Sequence, residues 1–131
     1  MRVIIPDRSQ LPMRIFTDTE FTDFRDSELI SIALVAENGA ECYGESSDFD
    51  QSLCSDFVSD VVLSQLGMPA GRSMPYLELQ REVQMWLGRI SRRDQPVVCY
   101  DFDCDLKLLE CLLGGELPPG WKLENIWSKL S

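Results

Sequence analysis

The alternation of apolar and polar positions predicts a chain that opens on strands and continues on helices. Residues 1–12 end in Leu11-Pro12 and read as a lead-in strand or arm. Met13 to Asp18 alternates with the period of two of a half-buried strand. Phe21 to Ser27 is polar and acidic and predicts a loop. Leu29 to Ala36 is almost continuously apolar, the pattern of a central strand covered on both faces. Glu37-Asn38-Gly39-Ala40 follows; Asn-Gly between apolar runs favours the positive-φ backbone of a tight hairpin, and Glu41 to Gly44 returns as a third strand.

Downstream the spacing changes. Asp48 to Ser59 predicts a helix with Phe49, Leu53 and Phe57 inward. Val61 to Gly71 mixes Val61-Val62-Leu63 with the breakers Gly67, Pro69 and Gly71 and fixes no element. Leu79, Val83, Trp86, Leu87 and Ile90 recur at steps of three and four and mark one helix face, with Ser73 as N-cap and Pro75 in the first turn. Pro96 to Tyr100 predicts a short buried strand, and Asp103 to Leu113 a second helix closed by Gly114-Gly115. Trp121 to Leu130 predicts a short amphipathic helical end. The order β-β-β-α-α-β-α predicts a single α/β domain over residues 1–131. Three antiparallel strands precede a helix-linked parallel strand, and helices pack on the mixed sheet.

Composition narrows the chemistry. There is no histidine among the 131 residues, which removes Ser-His and Cys-His pairs, histidine metal sites and any imidazole base. Twelve Lys and Arg against 22 Asp and Glu give a net charge of −10, unfavourable for broad binding of a duplex through its phosphates. Carboxylates are therefore the main reactive set. Cys42, Cys54, Cys99, Cys104 and Cys111 show no C-x-x-C spacing and are expected to be reduced and mostly buried. No apolar run approaches the ~20 residues of a membrane span. The apolar part of Met1 to Asp7 is too short for a signal peptide, so a cytoplasmic protein is expected.

Asp18 and Glu20 flank Thr19 at the end of the first strand, and a period of two places both carboxylates on one face. Two such charges repel unless a cation lies between them, and a hard divalent ion, Mg²⁺ or Mn²⁺, suits oxygen ligands. A D-x-E on a solvated strand face is also common without any ion. Asp101, Asp103 and Asp105 follow the later apolar strand; Asp103 is also read as a helix N-cap and Asp105 as a first-turn acid stabilising the helix. Arg92-Arg93 is read as a solvated loop pair or a phosphate contact.

Asp18-Thr19-Glu20-Phe21, followed by Glu28 to Gly39 (Glu-Leu-Ile-Ser-Ile-Ala-Leu-Val-Ala-Glu-Asn-Gly), resembles the DEDD family of 3′–5′ exonucleases, especially compact bacterial exoribonuclease-like members. Val97 to Leu106 resembles the second family motif, with Asp105 at the catalytic aspartate and Asp101 at an asparagine. The resemblance implies a ribonuclease H-like fold and hydrolysis at the 3′ end of single-stranded RNA or DNA. It also implies two ions about 4 Å apart. Asp18 would bridge them, Glu20 would hold the nucleophile-side ion and Asp105 the other. It further implies substrate contacts from Phe21 (with Phe24 beside it), Tyr100 and Asp101.

The third family motif, a late helix with His or Tyr and an Asp, has no match after Asp105. Three readings follow: a C-terminally short enzyme; a substitute acid, from Glu124 or a second chain; or a catalytically degenerate binding or regulatory module. An unrelated acidic interaction protein is the more distant rival. Trp86 is expected in the core, and Trp121 and Trp127 on the face of a homodimer.

Overall fold

The computed structural model describes residues 12–127. Its strands are β1 (Met13–Phe21), β2 (Leu29–Ala36), β3 (Glu41–Ser46), β4 (Ser73–Met74), β5 (Pro96–Tyr100) and β6 (Lys122–Asn125). The helices are α1 (Tyr76–Gly88) and α2 (Asp103–Leu112). The strands form one sheet in the order β4-β3-β2-β1-β5-β6. β1, β2 and β3 are an antiparallel meander, while β5 and β6 run parallel to β1. This mixed α/β arrangement is compatible with a ribonuclease H-like fold.

The meander forms as the alternation predicts. At its second turn, between β2 and β3, Gly39 has φ +93°, a backbone that glycine adopts without strain, and Ala36 N–H donates to Ala40 O at 2.9 Å. Ile15, Ile32 and Leu34 of the sheet meet Leu79, Val83 and Leu87 of α1 and Leu109 and Leu112 of α2, and these eight side chains are almost fully buried. Each contributes roughly 1.5–3 kcal/mol by leaving water. Helix packing is close enough that a Cβ on Gly44 would lie 2.4 Å from Leu79 Cδ1. The other sheet face carries Arg14, Phe16, Asp18 and Glu20 of β1. It is more open: Phe16 and Val35, which are register partners, are 41% and 40% exposed.

Several expected elements differ. No helix spans Asp48 to Ser59. Asp50 caps a single turn at Gln51–Leu53, Cys54 is extended, and Ser55 starts a new helical stretch by accepting from Val58 N–H. That stretch includes a π-helical turn at Val58–Val62. Asp48 is engaged elsewhere, accepting from Tyr76 N–H at 3.1 Å at the start of α1. Ser73 pairs with Glu45 in β4 and is not the N-cap of α1; Pro75 occupies that position. β1 continues through Phe21, so Phe21 is not in the loop. Within Trp121 to Leu130, Lys122–Asn125 is a strand, because it satisfies the open edge of β5. The remainder of that segment from residue 128, and the lead-in at 1–11, lie outside the described residues.

Cys42 and Cys99 are buried, Cys54 and Cys104 half-buried and Cys111 exposed, all as free thiols. Trp86 and Trp121 pack against the core. Among the described residues no helix is long and apolar enough to cross a membrane.

Candidate metal centre

Asp18 and Glu20 stand two residues apart on β1, so they share a face. Their neighbours on β2, Ala33 and Ser31, are small and leave room above the strand. β5 runs parallel with Phe16 opposite Cys99. Asp101 follows Cys99 by two residues as Asp18 follows Phe16, so the register brings Asp101 beside Asp18. The chain then turns, and α2 delivers Asp105 from its first turn. One carboxylate oxygen from each of Asp18, Asp101 and Asp105 lies within 4.8 Å of the others.

Asp105 is the buried member, 1% exposed. Thr19 Oγ1–H donates to its Oδ1 at 2.5 Å, whereas Oδ2 is buried with no hydrogen-bond partner. Burial, and beyond it the neighbouring Asp101 and Asp18, push the Asp105 carboxyl up to about 6 against the opposing pull of the Thr19 hydroxyl. Asp18 is also raised, first by desolvation and then by Asp101, partly offset by the Thr19 backbone N–H. Glu20 is raised by desolvation and by Asp18. An unsatisfied acid beside like charges needs a proton or a cation, and oxygen-only donors favour a hard divalent ion.

Of the acids read from the sequence as metal ligands, Asp18 and Asp105 meet. Asp101, expected at a substrate-contact position, completes the closest group of three. Its position just after a buried strand was readable from the sequence; the pairing of that strand with β1, which brings Asp101 to Asp18, was not. Glu20 stands next to the group and lines a cavity of about 200 Å³ with Asp18, Ser31, Ala33, Tyr43 and Gln65.

Tyr43 was not singled out from the sequence. The registers Asp18–Ala33 and Ala33–Tyr43 place it on the same face two strands away. Its hydroxyl donates to Glu45 Oε2 at 2.6 Å, and burial together with Glu45 pushes the phenol up to about 12.

The other candidates fall elsewhere. Phe21 packs against the core and edge-on to Phe24 at 5.2 Å between centroids; Phe24, 75% exposed, is the accessible ring. Tyr100 ends β5, its carbonyl accepting from Ile126 N–H. Glu124 sits on β6 rather than a helix, 3.6 Å from Arg14, and is not among the three acids that meet. Asp103 is the exposed first residue of α2, not its cap. Arg92 and Arg93 lie exposed in a short turn before β5.

No family model matches the chain. Over 61 residues, 46% of its length, the chain is 46% identical to two proteins of Mycobacterium tuberculosis (strains CDC 1551 / Oshkosh and ATCC 25618 / H37Rv), each named a 3′–5′ exoribonuclease. The match covers 36% of each, so this chain spans about a third of the length of the curated relatives it matches. The similarity is to an exonuclease-type protein and by itself assigns no residue a role.

Proposed function

We propose that this protein is a divalent-cation-dependent 3′–5′ exoribonuclease-like hydrolase acting on the ends of single-stranded RNA or short oligonucleotides. One observation carries the reading: carboxylate oxygens of Asp18, Asp101 and Asp105 lie within 4.8 Å of one another, and Asp105 is buried with no donor for its Oδ2. The residues fit Mg²⁺ or Mn²⁺. Asp18, Asp101 and Asp105 would hold the ion, with Glu20 beside them. When bound, such an ion supplies Lewis-acid polarisation of a phosphoryl oxygen and a more acidic water.

The chain's own groups do the rest. Thr19 donates to Oδ1 of Asp105 and so fixes the orientation of that carboxylate. Glu20 and Tyr43 wall a cavity of about 200 Å³ in which a terminal nucleotide would sit. Tyr43 gives its one O–H to Glu45, so its phenol oxygen faces the cavity as an acceptor and cannot take a proton from the substrate at neutral pH. The carboxylates are therefore the available proton acceptors. Similarity to proteins named 3′–5′ exoribonucleases supports the direction and polymer class.

The histidine-free composition and the high phenol value favour a second reading, a binding module of the same fold that does not turn over. Incubation of 5′-labelled single-stranded RNA with Mn²⁺ separates the two. Stepwise loss of 3′ nucleotides, abolished in Asp18→Ala and by EDTA, is expected. Retention of intact RNA at every metal concentration would sink the hydrolase and leave the module.

A further inference from the structure

The carboxylate cavity accommodates a chain end but leaves open where the rest of a substrate strand would lie. It shares a wall, Ala33 and Tyr43, with a larger cavity of about 700 Å³. That cavity opens along the outer edge of β3, because β4 pairs only with Glu45 and Ser46 and leaves Glu41 to Gly44 without a strand neighbour there among the described residues. Its far wall is α1, and Arg72 enters from the segment before β4.

Two arginines face this cavity. Arg72 is fixed: its Nε–H donates to Tyr43 O at 2.9 Å, and its guanidinium is 3.7 Å from Glu82. Arg89, at the C-terminal end of α1, is exposed and forms no ion pair among the described residues. Both act on the Cys42 thiol in the same sense, opposing the rise that burial causes, which places both guanidiniums around one concavity. The two balance Glu41 and Glu82 in the lining, whereas the carboxylate cavity contains Asp18 and Glu20 and no cation. In a chain of net charge −10 this cavity is neutral overall, and Arg89 is the cation in it that pairs with no carboxylate among the described residues, so it is the group free to meet a phosphate. Met85 and Trp86 add apolar surface beside the guanidiniums. From β1 to the free edge of β3 is two strand spacings, about 10 Å. About three stacked nucleotides span that distance at roughly 3.4 Å each. The α1 wall with Arg89 lies beyond that edge on the opposite sheet face, so a bound strand would turn over the edge at Tyr43.

We propose that the cavity at Arg72 and Arg89 is a second subsite, which holds the phosphodiester backbone of the upstream part of a single-stranded RNA whose 3′ end lies in the carboxylate cavity, with Tyr43 at the junction. This rests on the reading of the carboxylate cavity as the place where a chain end is cut. The subsite makes affinity depend on length and salt. Each phosphate contact contributes about −0.7 to the slope of log affinity against log salt.

Binding of a 5′-fluorescein pentanucleotide RNA, read by anisotropy in EDTA, tests the subsite apart from cleavage. Arg89→Glu is expected to weaken it about tenfold and to flatten the salt slope, with Arg89→Lys keeping most of the affinity. Arg81→Ala, an exposed change on another part of α1, serves as the control. In Mn²⁺, the ratio of kcat/KM for the pentanucleotide to that for a dinucleotide should fall in Arg89→Glu. Equal affinity in wild type and Arg89→Glu, or no binding by the wild type, overturns the subsite. Failure of the wild type to cleave even the dinucleotide, with the Arg89 effect on binding intact, would instead count against the catalytic reading.

Discussion

Replacing Asp105 by asparagine removes a charge while keeping the shape and an acceptor for the Thr19 hydroxyl. In the metal-free protein this carboxyl is pushed up to about 6 from an ordinary value of 3.8. Each tenfold in proton affinity is about 1.4 kcal/mol, so ionising Asp105 costs on the order of 3 kcal/mol more in the folded chain than in the unfolded one. Because the folded-state value is raised, folding favours the protonated acid. The contribution of Asp105 is therefore fully present below about pH 4 and is lost as pH rises through about 6. The amide cannot ionise, so Asp105→Asn should match the wild type near pH 4 and exceed it at about pH 7.5 by up to ~3 kcal/mol, on the order of 10 °C in Tm for a chain of this length. Thermal unfolding in EDTA across that range measures the difference. Mn²⁺ at a thousand times its Kd should reverse the order, since it stabilises the wild type by about 4.1 kcal/mol, more than the ~3 kcal/mol deficit, and the variant lacks a ligand. A difference in EDTA that does not change with pH, or a variant less stable than wild type at about pH 7.5, would refute the assignment of a buried, frustrated acid.

Thr19→Val keeps the side-chain volume but strips Asp105 Oδ1 of its donor. It should destabilise the fold by about 1–3 kcal/mol in urea titrations. It should also raise the proton affinity of Asp105, so that Mn²⁺ binding followed by titration calorimetry sets in at higher pH than in wild type; an unchanged onset would contradict the role given to the hydroxyl. Gly44→Ala puts a methyl group 2.4 Å from Cδ1 of the fully buried Leu79. The forced shift of α1 against β3 should cost about 1–3 kcal/mol, and an unaltered midpoint of unfolding would show that the helix gives way freely.

Local pattern carried the antiparallel meander, because β1, β2 and β3 are sequential and their turn chemistry is local. The D-x-E pair was legible for the same reason: a period of two decides the face. What was not legible depends on distant partners. Asp48 has the chemistry of a helix start and does cap a helix, but it caps α1, 28 residues on, by accepting from Tyr76 N–H. Lys122–Asn125 becomes a strand because β5 has an open edge, which no local periodicity reveals. Asp101 joins Asp18 through the parallel register of β1 and β5, a long-range pairing invisible in the spacing of either strand.

The acids of this chain divide by how the protein satisfies them, and that division narrows where function lies. Glu45 is 2% exposed, yet it accepts from Tyr43 O–H and from Gly67 N–H at 3.0 Å, so folding accounts for it. Asp50 caps its own turn, and Glu37 accepts from Arg14 N–H. Asp18 and Asp105 differ. They are crowded by Asp101, raised by burial, and one Asp105 oxygen is left without a partner. A buried unsatisfied acid costs stability wherever it has no task, since mutation to a neutral residue removes the cost. That the chain sets one such group, the buried Asp105, against Asp18 and Asp101 where two adjacent parallel strands and a helix start meet, instead of dispersing the three over the surface as it does most of its 22 acids, is the physical ground for the proposed cation.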